Sequence, residues 1–177
     1  EPGISHHNDM KAIRMGGYSH GNSERLNSVV NVFQESGFDT QAVGNIEVVQ
    51  WEKLICNVAY SGPCALTGLT VGGVLDDPIL GPVSRAAAVE AWEVARKRNI
   101  PVVVDDPIAY VRDFAERMRA AKPSVLLDIE AGRRSEIDVI NGAVGREAMR
   151  VDAVAPVNAT ITALVRSLEE RTIIEGN

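Results

Sequence analysis

The stretch NIEVVQWEKLICNVAYS, residues 45–61, carries the reading of the fold. At 100° per residue, Gln50, Lys53, Asn57 and Ser61 fall on one stripe that spans roughly 80° of a helix. Val48, Trp51, Leu54, Ile55 and Val58 fill an apolar arc on one side of it. Ile46, Val49, Cys56 and Tyr60 cover most of the other. A surface helix has a wide charged face and one apolar stripe. Here the polar stripe is the narrow feature, so the pattern predicts a mostly buried helix that faces a polar cleft. Asn45 is placed to cap this helix, and Gly62-Pro63 is expected to interrupt it after about Tyr60.

Downstream, nearly every segment keeps the helical period. Asp77-Pro78 has the form of a helix start, cap then proline, for a helix that leads to Asn99. Asp106-Pro107 repeats the device ahead of an apolar stripe of Ile108, Val111, Phe114 and Met118. A short helix from near Ser124 should end at Gly132. Another is predicted from Ile137 to Met149, and Pro156 opens a last one bearing Ile161, Leu164, Val165 and Leu168. Upstream, residues 1–10 read as irregular and Lys11–Met15 as a short strand. Asn22 or Ser23 can cap a helix with apolar positions Leu26, Val29, Val30 and Phe33, which Gly37 would terminate, and Phe38–Val43 reads as a second strand. Together these predict a mainly α chain: about six helices over residues 45–177, preceded over residues 1–44 by a short α/β remnant.

The chain has 177 residues, 45% of them hydrophobic, enough for a real core. Its formal net charge of −6 argues against a nucleic-acid partner, which requires lysines and arginines to neutralise phosphates. No apolar run approaches the roughly 18 residues of a membrane span. The start, Glu-Pro-Gly, has neither an initiator methionine nor a signal-peptide pattern and reads as the start of a fragment. With no secretion signal, Cys56 and Cys64 are expected to be free thiols in a reducing cytoplasm. His6, His7 and His20 have no acidic or cysteine partner at ligand spacing, so no metal site is expected. The basic clusters Arg96–Arg98 and Arg133-Arg134 read as solvated helix ends or turns, with an anionic ligand of Arg133 or Arg134 the less favoured reading.

The chemistry-bearing candidates start with Lys53. A desolvated lysine is a better proton donor, and its charge attracts a carboxylate or a developing alkoxide. The plainer reading is that Lys53 reaches out to water and Asn57 satisfies a backbone group. In KPSVLLDIEAGRRSEIDVING, residues 122–142, Ser124 and Glu136 stand out, although each could merely serve a helix N-terminus, as a cap and as a favourable charge. Asp128 and Asp138 have no distinguishing context. GGYSHG does not follow a buried strand in a complete βαβ unit, so no phosphate cradle is expected. Asn158-Ala159-Thr160 matches a glycosylation acceptor only formally.

WEKLICNVAYSGPCALTG followed by KPSVLLDIEAGRRSEIDVING resembles the C-terminal domain of the ketopantoate reductases (2-dehydropantoate 2-reductases), from about Asn45 to Thr172. GNSERLNSVVNVFQESGFDTQAV resembles the last helix and strand of their nucleotide-binding domain. The resemblance implies a helical domain like the C-terminal domain of 6-phosphogluconate dehydrogenase, preceded by the tail of a Rossmann-type domain. It implies a cytoplasmic oxidoreductase of pantothenate biosynthesis that uses NADPH to reduce ketopantoate to pantoate in the cleft between its domains. Lys53 then matches the catalytic lysine and Glu136 the glutamate near the reacting hydroxyl. Asn57, Ser61 and Ser124 match substrate-binding positions, with Ser61 where the family often has a second asparagine. No cofactor-binding residue is expected here: NADPH would be held mainly by a domain outside this chain, leaving the fragment inactive alone. A homodimer through the helical domain is the expected protein partner. The alternatives are a reductase of another 2-keto acid and a non-catalytic helical dimerisation module.

Overall fold

The computed structural model describes residues 12–18, 21 and 23–175, with the side chains of 173–175 left aside. The irregular reading of residues 1–10, and His6, His7, Lys11, His20 and Asn22, lie outside the described residues. The backbone divides into two compact units, Glu1–Gln50 and Trp51–Asn177.

In the first unit, β1 (Ile13–Met15), α1 (Glu24–Glu35) and β2 (Thr40–Ala42) form a small crossover. The strands pair in parallel, Ile13 opposite Thr40 and Met15 opposite Ala42. Ser23 caps α1 by accepting the Leu26 N–H at 3.1 Å. The helix stops because Gly37 takes φ +88°, a left-handed turn a side chain would resist. The Phe38 N–H then reaches the Phe33 carbonyl at 3.0 Å and the Gly37 N–H the Gln34 carbonyl at 2.9 Å, while the rings of Phe33 and Phe38 meet at 5.8 Å. This is a Schellman ending with its hydrophobic contact.

From residue 46 onward the described chain is helical: α2 (Ile46–Thr67), α3 (Val71–Asp76), α4 (Leu80–Lys97), α5 (Pro107–Arg117), α6 (Ser124–Glu130), a 3-10 turn (Ile137–Val139), α7 (Asn141–Met149) and α8 (Pro156–Glu175). Asn45 caps α2, accepting the Glu47 N–H at 2.9 Å. Asp106 caps α5, accepting from Ile108 and Ala109. The mainly α fold expected from periodicity is present, with seven α-helices where about six were expected. The extra one, α3, is a single short turn-and-a-half capped by Thr70.

Three boundaries differ from expectation. Asp77 does cap, accepting the Ile79 and Leu80 N–H groups at 2.8 Å each, but α4 proper begins only at Leu80. The helix predicted over 137–149 breaks at Ile140, whose ψ of −96° is not helical. Most instructive is α2, which runs straight through Gly62-Pro63 to Thr67. Pro63 removes one helical hydrogen bond, but both residues are buried among other helices, and burial outweighs the local break. Gly62 is required there for space. A Cβ on it would lie 2.1 Å from Ile161 Cγ2 on α8.

The core of the second unit is small and aliphatic. Ile55 and Val58 of α2, Ala87, Ala88, Ala91 and Ala95 of α4, Val111 of α5, Val144 of α7 and Val165 of α8 are all inaccessible. Through it runs a chain of buried amides. Asn141 Nδ2 donates to the Val58 carbonyl at 3.0 Å and to Asn158 Oδ1 at 2.9 Å. Asn158 Nδ2 donates to the Ala87 carbonyl at 3.0 Å and to Glu90 Oε2 at 2.8 Å. Glu90 also accepts the N–H groups of Val157 and Asn158, so a carboxylate on α4 caps α8. Gly62→Ala should lower the unfolding free energy by about 1–3 kcal/mol, the usual cost of overpacking. A urea midpoint equal to that of the parent chain would show that α2 and α8 are not held at this close approach.

Candidate active site

The stripe read from the sequence exists on α2. Lys53 is exposed, Asn57 half-buried and Ser61 buried, so the stripe descends from solvent into the helical layer over two turns. Its apolar flanks are buried on both sides, Trp51, Ile55 and Val58 on one and Cys56 and Tyr60 on the other. The expected desolvation of the lysine is not present: Lys53 itself stands in water. Its sequence neighbour Glu52 is already engaged, accepting the Val103 N–H at 3.0 Å. Among the described residues no hydrogen bond or ion pair occupies the side chain of Lys53, Asn57 or Ser61. The alternative in which Asn57 satisfies a backbone group is therefore not what α2 shows. Gln50, at the outer end, accepts from the Tyr18 hydroxyl at 2.7 Å.

Ser124 and Glu136 lie on other elements. Ser124 is exposed at the first position of α6, and the cap position is Pro123, with no side-chain cap. Its hydroxyl is thus not used as a cap. Glu136 is exposed at the head of the 3-10 turn. Its carbonyl accepts the N–H groups of Val139 and Ile140 at 3.0 and 3.2 Å, while no hydrogen bond or ion pair among the described residues engages its carboxylate. Among the described residues no hydrogen bond or ion pair links Ser124 or Glu136 to the α2 stripe. Other charged residues here are paired: Lys122 with Glu130 at 2.6 Å, Arg133 with Asp128 at 2.7 Å, and Asp138 with Arg166 of α8 at 2.7 Å, while Arg134 is exposed.

The residues that fix this geometry were not singled out by the sequence. Asn141, fully buried, ties the start of α7 to the Val58 carbonyl, one residue beyond Asn57. Asn158, in the formal glycosylation triplet, is fully buried and cannot carry a glycan in this fold. Ser135 donates both its N–H and its hydroxyl to Glu169 Oε1, at 2.9 and 2.5 Å. The only signal was an asparagine or glutamate at a position where the helical period calls for an apolar residue.

Among the described residues no group of three or more His, Cys, Asp or Glu could hold a metal ion, and no helix is long and apolar enough to cross a membrane. A Cβ on Gly16 would fall 2.6 Å from the Val43 carbonyl oxygen, so its bare Cα serves the packing of the two strand ends. A groove of about 470 Å³ opens in the second unit, lined by Pro63, Leu66, Leu80, Val157 and Ile161 among others, and holds none of the five candidate residues.

These features define a helical domain with a lysine-headed polar stripe. The family model described as "Ketopantoate reductase PanE/ApbA C terminal" matches residues 45–169, and the chain belongs to that family. It is similar to the 2-dehydropantoate 2-reductase of Archaeoglobus fulgidus, 32% identical over 80% of this chain and 47% of that protein. A crystal structure of 2-dehydropantoate 2-reductase from Methylococcus capsulatus superposes with TM-score 0.81 at 31% identity, covering 90% of this chain and 51% of that one. D-mandelate dehydrogenase, solved with NADH and anilino(oxo)acetate, shares the fold: TM-score 0.82 at 22% identity, over 91% of this chain and 67% of that one. The chain spans about half the length of the curated relatives it matches.

Burial raises the pKa of four groups of this domain. It pushes the thiols of Cys56 and Cys64 from 9.0 up to about 12, and the phenols of Tyr60 and Tyr110 from 10.0 up to about 12. Above about pH 9 the unfolded chain releases protons that the folded chain retains, so stability falls as pH rises towards 12. The urea midpoint should accordingly be lower near pH 10.5 than near pH 8; a flat profile would contradict the burial of these four groups.

Proposed function

We propose that this chain is the substrate-binding and catalytic part, residues 45–177, of an NADPH-dependent 2-dehydropantoate 2-reductase, with residues 1–44 the tail of its nucleotide-binding domain. The observation that carries the proposal is the α2 stripe: Lys53, Asn57 and Ser61 aligned, with side chains that no group among the described residues occupies, in a chain of this family. A dimerisation module without catalysis has no use for unspent polar groups at these positions. The reading places the protein in the cytoplasm, in keeping with two buried free cysteines. It also allows a homodimer that uses the apolar groove beside α2 and α8.

On this reading the hydride donor is bound mainly by the nucleotide-binding part of such an enzyme. What this chain's own residues supply is polar recognition and a proton. The amide of Asn57 and the hydroxyls of Ser61 and Ser124 suit the carboxylate and hydroxyl of a small 2-keto acid. The Lys53 ammonium lies at the mouth of the stripe, where it stabilises charge building on the keto oxygen and delivers a proton from Nζ. Glu136 accepts a hydrogen bond from the hydroxyl so formed. Ser61, one amide shorter than asparagine, is the position at which a different 2-keto acid would be selected.

The 177-residue chain by itself should not consume NADPH with 2-dehydropantoate. In a polypeptide that carries both halves, Lys53→Ala should reduce kcat by about 100-fold or more. Its urea midpoint should stay near that of the parent, because Lys53 is exposed and makes no contact that stabilises the fold. Turnover within severalfold of the parent would rule out Lys53 as the general acid.

A further inference from the structure

We propose that Glu169 of α8, acting through Ser135, is a positioning residue for Glu136; this rests on the role given to Glu136 above. Glu136 is held by its backbone on both sides. Behind it, Ser135 gives its N–H and its hydroxyl to the same carboxylate oxygen, Glu169 Oε1. Ahead of it, its own carbonyl takes the N–H groups of Val139 and Ile140. The Ser135 hydroxyl closes the arrangement by accepting the Ile137 N–H at 3.2 Å. Two hydrogen bonds on the Glu136 carbonyl and three on its neighbours Ser135 and Ile137 thus hold the backbone here, while the Glu136 carboxylate has no partner among the described residues.

That combination separates support from chemistry. Glu169 is 8% exposed, a carboxylate taken largely out of water, which is costly unless donors replace the lost hydration. Its location therefore demands Ser135, and Ser135 has little freedom once two donors are committed to one charged oxygen. One helical turn earlier, Arg166 lies 2.7 Å from Asp138 Oδ1, a close ion pair without the alignment of a hydrogen bond. Both of its side chains are about half exposed, so it adds little. The buried contact does the holding, and α8 sets where the Glu136 carboxylate can reach. A reacting group displaced by about 1 Å can cost on the order of 100-fold in rate, so a support of this kind is visible in kinetics.

The test is a double-mutant cycle in the holoenzyme, with kcat and KM measured separately and folding followed by thermal melting. Glu169→Gln keeps the shape and removes the charge; Ser135→Ala removes the hydroxyl. With Glu136 present, each should lower kcat about tenfold or more, and in a Glu136→Gln background each should change it less than twofold. Equal losses in both backgrounds, or a rise in KM alone, would overturn the positioning role. If Glu169→Gln does not fold, Ser135→Ala carries the same cycle. A Glu136→Gln enzyme that turns over like the parent refutes the role of Glu136 itself, and the positioning role with it. An impaired Glu136→Gln enzyme beside an unimpaired Glu169→Gln one refutes only the latter.

Discussion

Asn141 and Asn158 share a hydrogen bond at the centre of the helical unit, and the rest of the arrangement depends on it. The surrounding core is mostly alanine, valine and other apolar side chains, whose contacts are non-directional and would tolerate helices sliding past one another by a fraction of a turn. The amides do not tolerate it. Their donors reach α2 at Val58, α8 at Asn158 and α4 at Ala87 and Glu90, and each lost partner would leave a buried polar group costing about 1–3 kcal/mol. Directional bonds inside a featureless apolar core specify one packing among many. The same amide links the two places where the candidate chemistry sits. Val58 follows Asn57 on α2, and Asn141 lies five residues beyond Glu136.

Gly62 and Pro63 belong to the same constraint. With no Cβ at residue 62, α8 can approach α2 until Ile161 fills the space a side chain would take. Pro63 gives up a helical hydrogen bond at the same level, which only a helix held from outside survives. Asn141 faces this spot as well, since its Oδ1 would be 3.5 Å from a Cβ at Gly62. That oxygen is buried and has no partner, a local cost accepted so that the other side of the amide can make its two bonds.

What could be read from the sequence was what local chemistry decides. The caps at Ser23, Asn45 and Asp106 and the stops at Gly37 and Gly132 lie where the residue types put them, because a cap needs only its neighbours three or four residues away. Gly62-Pro63 misled for the same reason: the dipeptide is a breaker locally, and only Ile161, 99 positions on, explains why α2 continues. The break at Ile140 is likewise set by Asn141 reaching across to α2 and α8. The site divides along the same line. Lys53, Asn57 and Ser61 were legible together because helical spacing alone aligns them. Ser124 and Glu136 stood out as residues, but only the family resemblance relates them to the α2 candidates, since nothing in their spacing does. The partner that holds Ser135, 34 residues away on α8, was not legible at all.

The exposure of Lys53 bears on how such a stripe could act. In water, an ammonium about 4 Å from a developing alkoxide contributes about 1 kcal/mol, against about 4 kcal/mol at the effective dielectric of a protein surface. A lysine standing in solvent therefore has little leverage over a reaction until something displaces that water. The stripe is graded in a way that suits this. Ser61 and Asn57 lie in progressively drier surroundings below Lys53, so a small acid whose polar groups they hold would bring its keto end up to the ammonium. The substrate itself would then exclude part of the solvent. On this reading the strength of the lysine comes from occupancy of the stripe rather than from burial in the empty domain, while its direction is fixed by α2 and the amide bond that anchors it.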